Sequence, residues 1–192
     1  MEKDQIIKPE LLLIGGSSGS LGVVLNILMA LPENFPIAVV LVMHRSNAQE
    51  SLLGEVLAIK SNMPVLEIEE KESIRGGTVY VAPADYHVLI ETNRTFSLDY
   101  SEKMNYSRPS LDVTFISAAA VFGNRVTGIL LSGANNDGTE GLISIKEQGG
   151  YCIIQDPEDA IVGYMPRHAL ERVQADAILS GQEIIRYLLS IS

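Results

Sequence analysis

The sequence predicts a doubly wound α/β fold: a mostly parallel sheet flanked by helices, with one small antiparallel hairpin. Three observations carry that expectation. Short apolar runs closed by turn residues alternate with segments of helical periodicity. The runs are continuous rather than alternating, as in strands buried on both faces. Between residues 78 and 100 the rhythm breaks into short β-rich pieces.

Taken in order, LLLI (11–14) is a strand ended by Gly15 and Gly16, and Leu21, Val24, Leu25 and Leu28 then fall on one helical face that Pro32 closes. IAVVLV (37–42) is a second strand, AQESLLGEVLAIK (48–60) a helix, and Val65–Ile68 a third strand. This alternation predicts parallel pairing with right-handed crossovers. TVYVAP, HVLIET and TFSLDY, separated by ADY and NR, predict an antiparallel hairpin or small meander. Leu111, Phe115, Ala118, Ala119 and Phe122 form a helical stripe entered through Pro109-Ser110. The α/β rhythm then resumes with a strand at Val126–Leu131, a helix at 142–148 ended by Gly149-Gly150, and a strand at YCIIQ (151–155). From Met165 onward the pattern is helical without defined boundaries.

With 192 residues, 46% of them hydrophobic, one domain spanning 1–192 is expected, residues 1–10 forming an N-terminal tail. LLLI and IAVVLVM are too short to cross a bilayer, and MEKDQIIKPE lacks the basic start and apolar centre of a signal peptide, so a cytoplasmic protein is expected. A formal charge of −10 argues against nucleic acid and anionic lipid as partners, since both demand clustered Lys and Arg. The single cysteine, Cys152, lies in an apolar run and is expected to pack in the core. A monomer is the default expectation.

Gly15-Gly16-Ser17-Ser18-Gly19 fits G-x-S-x-G, in which glycines permit a sharp strand-to-helix turn that exposes a serine hydroxyl beside backbone N–H groups. Alone the pattern is weak, because glycine and serine are common in ordinary turns; its position after the first strand strengthens it. A dinucleotide loop is the competing reading, but GGSSGSLG contains neither G-x-G-x-x-G nor G-x-x-x-x-G-K-[ST], so neither NAD nor ATP is expected. His44 follows the second strand, at the edge where open α/β sheets place their sites, whereas His87 lies in the hairpin region and His168 in the C-terminal helical segment. Asp137 follows the strand ending Leu130-Leu131. With Glu140 three residues on, its local sequence favours a helix N-cap, a role compatible with orienting a histidine. Ser17, His44 and Asp137 therefore converge on one sheet edge with the parts of a nucleophilic triad. The order Ser, His, Asp is not that of the α/β-hydrolases, and that fold is not assigned.

Four segments, IGGSSGSLG, VMHRS, YVAPADYHV with RPSLDVTFISAA, and LLSGANNDGTEGL with GYMPRHAL, resemble in order and spacing the catalytic domain of the CheB-type chemotaxis protein-glutamate methylesterases, from about Leu11 to Gly181. The resemblance implies Ser17 as nucleophile, His44 as base and Asp137 as its orienting acid, with Ser18 and Ala134 at the oxyanion or substrate-positioning sites. It implies hydrolysis of γ-glutamyl methyl esters on the cytoplasmic helical bundle of a chemoreceptor, deamidation of glutamines through the same acyl-enzyme, and no metal or organic cofactor. A separate regulatory or methyltransferase protein is a further implied partner. Ser18 stands where the family has threonine, Ala134 where it often has methionine, Arg45 where an apolar residue is usual and Ser20 where it has glycine. The receiver domain that many members carry in front is not seen in this sequence. Two rival readings are a noncatalytic module of the same fold that binds a receptor or methyltransferase, and a carboxylesterase for other esters.

Overall fold

The computed structural model describes residues 8–44 and 50–192. The chain runs β1 (Leu11–Gly16), α1 (Leu21–Ala30), β2 (Ala38–Met43), α2 (Glu50–Lys60), β3 (Val65–Glu67), β4 (Val79–Val81), β5 (His87–Ile90), β6 (Phe96–Asp99), α3 (Leu111–Phe122), β7 (Val126–Leu130), α4 (Thr139–Glu147), β8 (Tyr151–Gln155), α5 (Tyr164–Leu170), β9 (Ala177–Leu179) and α6 (Gly181–Ser190). One seven-stranded sheet has the order β3-β4-β2-β1-β7-β8-β9, with every neighbouring pair parallel. β5 and β6 pair antiparallel as a separate hairpin.

The continuous apolar runs are explained by helices on both faces. Because side chains alternate along a strand, Leu11 and Leu13 of β1 pack with Phe115, Leu142 and Met165 of α3, α4 and α5. Leu12 and Ile14 pack with Ile27, Leu57 and Ile184 of α1, α2 and α6 on the other side. The hairpin adds Val88, Ile90 and Phe96 to the first of these cores. Cys152 is buried there too, its thiol donating to the Leu142 carbonyl (3.5 Å). Burial first, then the charge of Asp176, pushes that thiol up to about 12, which suits a packing role rather than a reactive one.

Two strands differ from the sequence reading. TVYV does not join the hairpin: β4 lies inside the parallel sheet between β3 and β2, and Val79, Tyr80 and Val81 are all buried. Tyr80 tolerates that position because its hydroxyl donates to Ser73 O (3.1 Å) and accepts from the Arg75 N–H (3.0 Å). β9 was not foreseen; it is a three-residue, partly exposed edge strand with too little apolar pattern to stand out. Residues 48 and 49 of the expected second helix, and 1–7 of the expected tail, lie outside the described residues. Glu10 is moored: its carboxylate takes bonds from Arg94 (2.9 Å) and Arg125 (2.5 Å). Among the described residues no helix is long and apolar enough to cross a membrane.

α3 and α4 meet through Phe115. A Cβ on Gly141 would stand 2.4 Å from that residue's Cβ, and one on Gly15 would stand 3.0 Å from its ring, so both glycines give the ring its slot. Phe115→Ala is expected to lower the unfolding free energy by about 3–5 kcal/mol, read as a shift of the urea midpoint. A loss under about 1 kcal/mol would mean that α3 does not depend on this contact.

Candidate active site

β1 is the switch point of the sheet: β2 follows it on one edge, and β7, reached only after the hairpin and α3, pairs with its other edge. Open α/β sheets form their crevices at such points, outside the carboxyl ends of the strands. Ser17, His44 and the segment 131–138 leave β1, β2 and β7 there.

The serine turn is held from two sides. Ser17 N–H donates to Ser132 O (2.9 Å), and Ser20 donates to Ser17 O through both its N–H (3.1 Å) and its hydroxyl (2.7 Å). Gly19 has φ +83°, and a Cβ there would lie 2.7 Å from both Ile161 and Ser132. Ser132 is the staple behind the turn: its hydroxyl donates to Ser18 O (2.7 Å) and accepts from the Val162 N–H (2.9 Å), while its own N–H donates to Gln155 Oε1 (3.0 Å). A Cβ on Gly133 would come within 3.1 Å of Ser17 Cβ, so the end of β7 closes directly against the serine. Ser17 is half-buried, and Ser18 and Ala134 are exposed. Among the described residues the N–H groups of Ser18 and Ala134 donate to no acceptor, and Ser17 Oγ has no hydrogen-bond partner.

His44 N–H donates to Gly16 O (3.2 Å), which fixes the histidine beside the serine turn, and its Nε2 lies 2.7 Å from Asp137 Oδ2. Asp137 is fully buried. It does not cap the helix that follows it. Gly138, at φ +94°, is the N-cap of α4 and supplies no side-chain bond, while Glu140 pairs with Arg172. The carboxylate caps α3 instead, a helix that precedes it in the chain. Oδ2 accepts from Leu111 N–H (2.7 Å), and Oδ1 from Asp112 N–H (3.1 Å), Gly138 N–H (3.1 Å) and the Ser110 hydroxyl (2.8 Å). The local capping-box reading failed because spacing along a sequence cannot tell which helix N-terminus a carboxylate meets in space.

Burial alone would raise Asp137, but bonds from His44 and Leu111, then attraction to His44 and the Asp112 amide, bring its carboxyl below the ordinary range. An ionised carboxylate only accepts, so His44 Nε2 carries a hydrogen, and in the neutral imidazole the lone pair is on Nδ1. Asn135 agrees with that tautomer. Its Oδ1 accepts the Asp137 N–H (3.1 Å), which turns its amide nitrogen toward His44 Nδ1 (3.4 Å) and Ser107 Oγ (3.5 Å). Asp112, in the first turn of α3, goes the other way. Burial and the neighbouring charge of Asp137 push it up to about 7, although Gly141 N–H (2.8 Å) and Asn105 Nδ2 (3.1 Å) bond to it.

The structure brings Ser17, His44 and Asp137, the three residues the sequence reading singled out, to one sheet edge; the residues that hold them went unseen: Asn135, Asp112 and Ser132 carried no independent signal, and Ser110 registered only as a helix start. His87 is buried and structural, accepting the Ser110 N–H at Nδ1 (3.2 Å) and donating to Glu102 O from Nε2 (2.9 Å). His168 lies beside Thr139 Oγ1 (3.1 Å). Arg45 lies outside the described residues. A cavity of about 720 Å³ opens at the opposite edge of the sheet, between Lys8, Tyr151 and Tyr187, and shares no residue with this site. Among the described residues no cluster of His, Cys, Asp or Glu could hold a metal ion.

Comparison with known proteins gives a consistent picture. Residues 12–188 match the family model described as CheB methylesterase. A Leptospira interrogans protein, provisionally named protein-glutamate methylesterase/protein-glutamine glutaminase, is 41% identical over 182 residues, covering 95% of this chain and 94% of that one. The Thermotoga maritima protein-glutamate methylesterase/protein-glutamine glutaminase is 32% identical over 188 residues, 96% of this chain and 55% of the relative. The crystal structure of the Thermotoga maritima CheB methylesterase catalytic domain superposes with a TM-score of 0.90 at 32% identity, covering 96% of this chain and 99% of that domain.

The two carboxylates give opposite pH effects. Asp137, lowered on folding, stabilises above the ordinary value of 3.8 and loses that contribution as pH falls through its depressed value. Asp112, raised on folding, stabilises fully below 3.8 and loses its contribution as pH rises through about 7. Unfolding free energy on Asp112's account therefore declines between about pH 4 and pH 8. Urea denaturation at about pH 5 and pH 8 is expected to show a smaller decline in Asp112→Asn than in wild type. Equal declines would mean that Asp112 is ionised at both values.

Proposed function

The chain belongs to the CheB methylesterase family, and from that membership we propose that it hydrolyses γ-glutamyl methyl esters on chemoreceptors with Ser17, His44 and Asp137 as a catalytic triad. It is a carboxylic ester hydrolase of the protein-glutamate methylesterase type. The observation that carries the mechanism is the 2.7 Å bond between His44 Nε2 and buried Asp137, made at the edge where Ser17 emerges.

With Nε2 committed to Asp137, Nδ1 is the nitrogen left for Ser17, and once Ser17 Oγ takes the place of the Asn135 amide (3.4 Å) there, Nδ1 receives its proton as Oγ attacks the ester carbonyl. Asp137 fixes that tautomer and stabilises the imidazolium that forms. The N–H groups of Ser18 and Ala134 receive the oxyanion of the tetrahedral intermediate. Collapse of the intermediate breaks the bond to methoxide, which leaves as methanol with the proton from Nδ1. A water that gives a proton to His44 then attacks the glutamyl-enzyme, and the second collapse frees the glutamate and restores Ser17. A glutamine side chain enters the same cycle with ammonia as leaving group, in keeping with the second activity named in the relatives. The substrate is the methylated cytoplasmic helical bundle of a receptor, so the enzyme works in the cytoplasm, with a separate regulatory or methyltransferase protein as a further partner.

Methanol release from methylated receptor helices tests this reading. Ser17→Ala and His44→Ala are each expected to lower kcat by about 10³-fold or more, and Asp137→Asn by a comparable factor through the wrong tautomer. Folded wild type that releases no methanol would sink the receptor assignment, and a Ser17→Ala variant of undiminished activity would sink the mechanism.

A further inference from the structure

Beside the base stands a tight turn, Met104-Asn105-Tyr106-Ser107, which the mechanism does not use. Met104 N–H donates to Ser107 O (3.1 Å) and Ser107 N–H to Met104 O (2.8 Å), closing a two-residue loop. Both central residues are left-handed, Asn105 at φ +48° and Tyr106 at φ +63°. Asparagine suits such a position; tyrosine does not, and glycine is the usual occupant of the second one. The turn is nonetheless firmly moored. Asn105 donates to buried Asp112 (3.1 Å). Ser107 Oγ is 3.5 Å from the same Asn135 nitrogen that faces His44. Just outside the turn, Arg108 donates to Ser101 O (2.7 Å) with its guanidinium 3.9 Å over the Tyr100 ring, and His87 holds Glu102 O. Two large side chains of the turn face solvent on either side of the exposed Asn105: Tyr106 is 97% exposed and Met104 49%.

A single exposed apolar residue needs no explanation. An aromatic ring in a disfavoured backbone conformation, projected into water from a turn tied to Asp112 and to the Asn135 that faces His44, does. We propose that this turn is the substrate-recognition element of the ester hydrolase read above, with Tyr106 the anchor and Met104 its neighbour. Its ligand is the apolar surface of the polypeptide that carries the glutamyl ester. The mooring fixes the backbone that carries the ring, so only side-chain freedom is lost when it docks, and aromatic anchors on rigid backbone are the side chains that most often dominate protein contacts.

The test compares methylated receptor helices with p-nitrophenyl acetate as substrates for wild type, Tyr106→Phe and Tyr106→Gly. Glycine relieves the left-handed strain, so Tyr106→Gly is expected to raise the urea midpoint while raising KM for the receptor roughly tenfold, with kcat moving less than about twofold. A ring with a structural role would lower the midpoint. Tyr106→Phe keeps the ring and is expected to retain a receptor KM within about twofold of wild type. The loss in kcat/KM on the receptor should exceed that on p-nitrophenyl acetate by at least about fivefold in Tyr106→Gly. Wild-type activity on the receptor with an unaltered KM in Tyr106→Gly overturns this proposal and leaves the proposed function standing. Wild type active on p-nitrophenyl acetate but not on the receptor overturns both.

Discussion

The carboxylate of Asp137 is the constraint around which the site is arranged. It sits at the N-terminus of α3, where unpaired N–H groups and the positive end of the helix dipole favour an anion, and it spends its remaining accepting capacity on His44. A buried carboxylate without such donors would be neutralised or expelled. Because α3 also packs Leu111 and Phe115 over Gly15, the element that anchors the acid is the one that supports the strand carrying the serine. Helix position, acid ionisation and imidazole tautomer are therefore one physical problem with one solution. A shift of α3 away from β1 would disturb all three together.

Strand order does the rest. Along the chain the three residues are far apart, yet β2, β1 and β7 are neighbours in the middle of the sheet, with the serine strand between the other two. His44 reaches Asp137 across the end of β1, so the imidazole is brought over the serine turn by the topology itself. Ser132 and Gln155 form a second tier behind it. They tie the ends of β7 and β8 to the turn through buried polar bonds, which hold the serine turn more firmly than a solvated loop could.

Much of this was legible in the sequence, for reasons that also explain what was not. LLLI, IAVVLV and the CIIQ of β8 are buried on both faces, so their apolar continuity announced parallel strands, and the stripe from Leu111 to Phe122 matched α3 because one face of that helix meets the sheet. β4 was misplaced because a run of three buried residues looks the same in a hairpin as in a sheet; only the pairing partners distinguish them, and those are remote. Ser17, His44 and Asp137 were singled out because each follows a strand. Asn135, Ser110 and Asp112 were not, because their roles depend on which groups they meet across the fold: a serine that caps a helix and also donates to a carboxylate 27 positions away has only the first role written locally.

The two neighbouring acids, Asp112 and Asp137, show how a fold assigns charge. Both are buried, and both touch the first turn of α3. The donors are divided unequally between them: Asp137 takes the Leu111 and Asp112 amides, the Ser110 hydroxyl and the imidazole, while Asp112 is left with Gly141 and the Asn105 amide. Two like charges in one buried space oppose each other, so the acid with more hydrogen-bond donors is pushed down and the other is pushed up, to about 7. That division leaves one charge beside the imidazole rather than two. Asp112 is also the post to which Asn105 ties the Met104–Ser107 turn, so ionisation of Asp112 would be felt beside His44 and at that turn together.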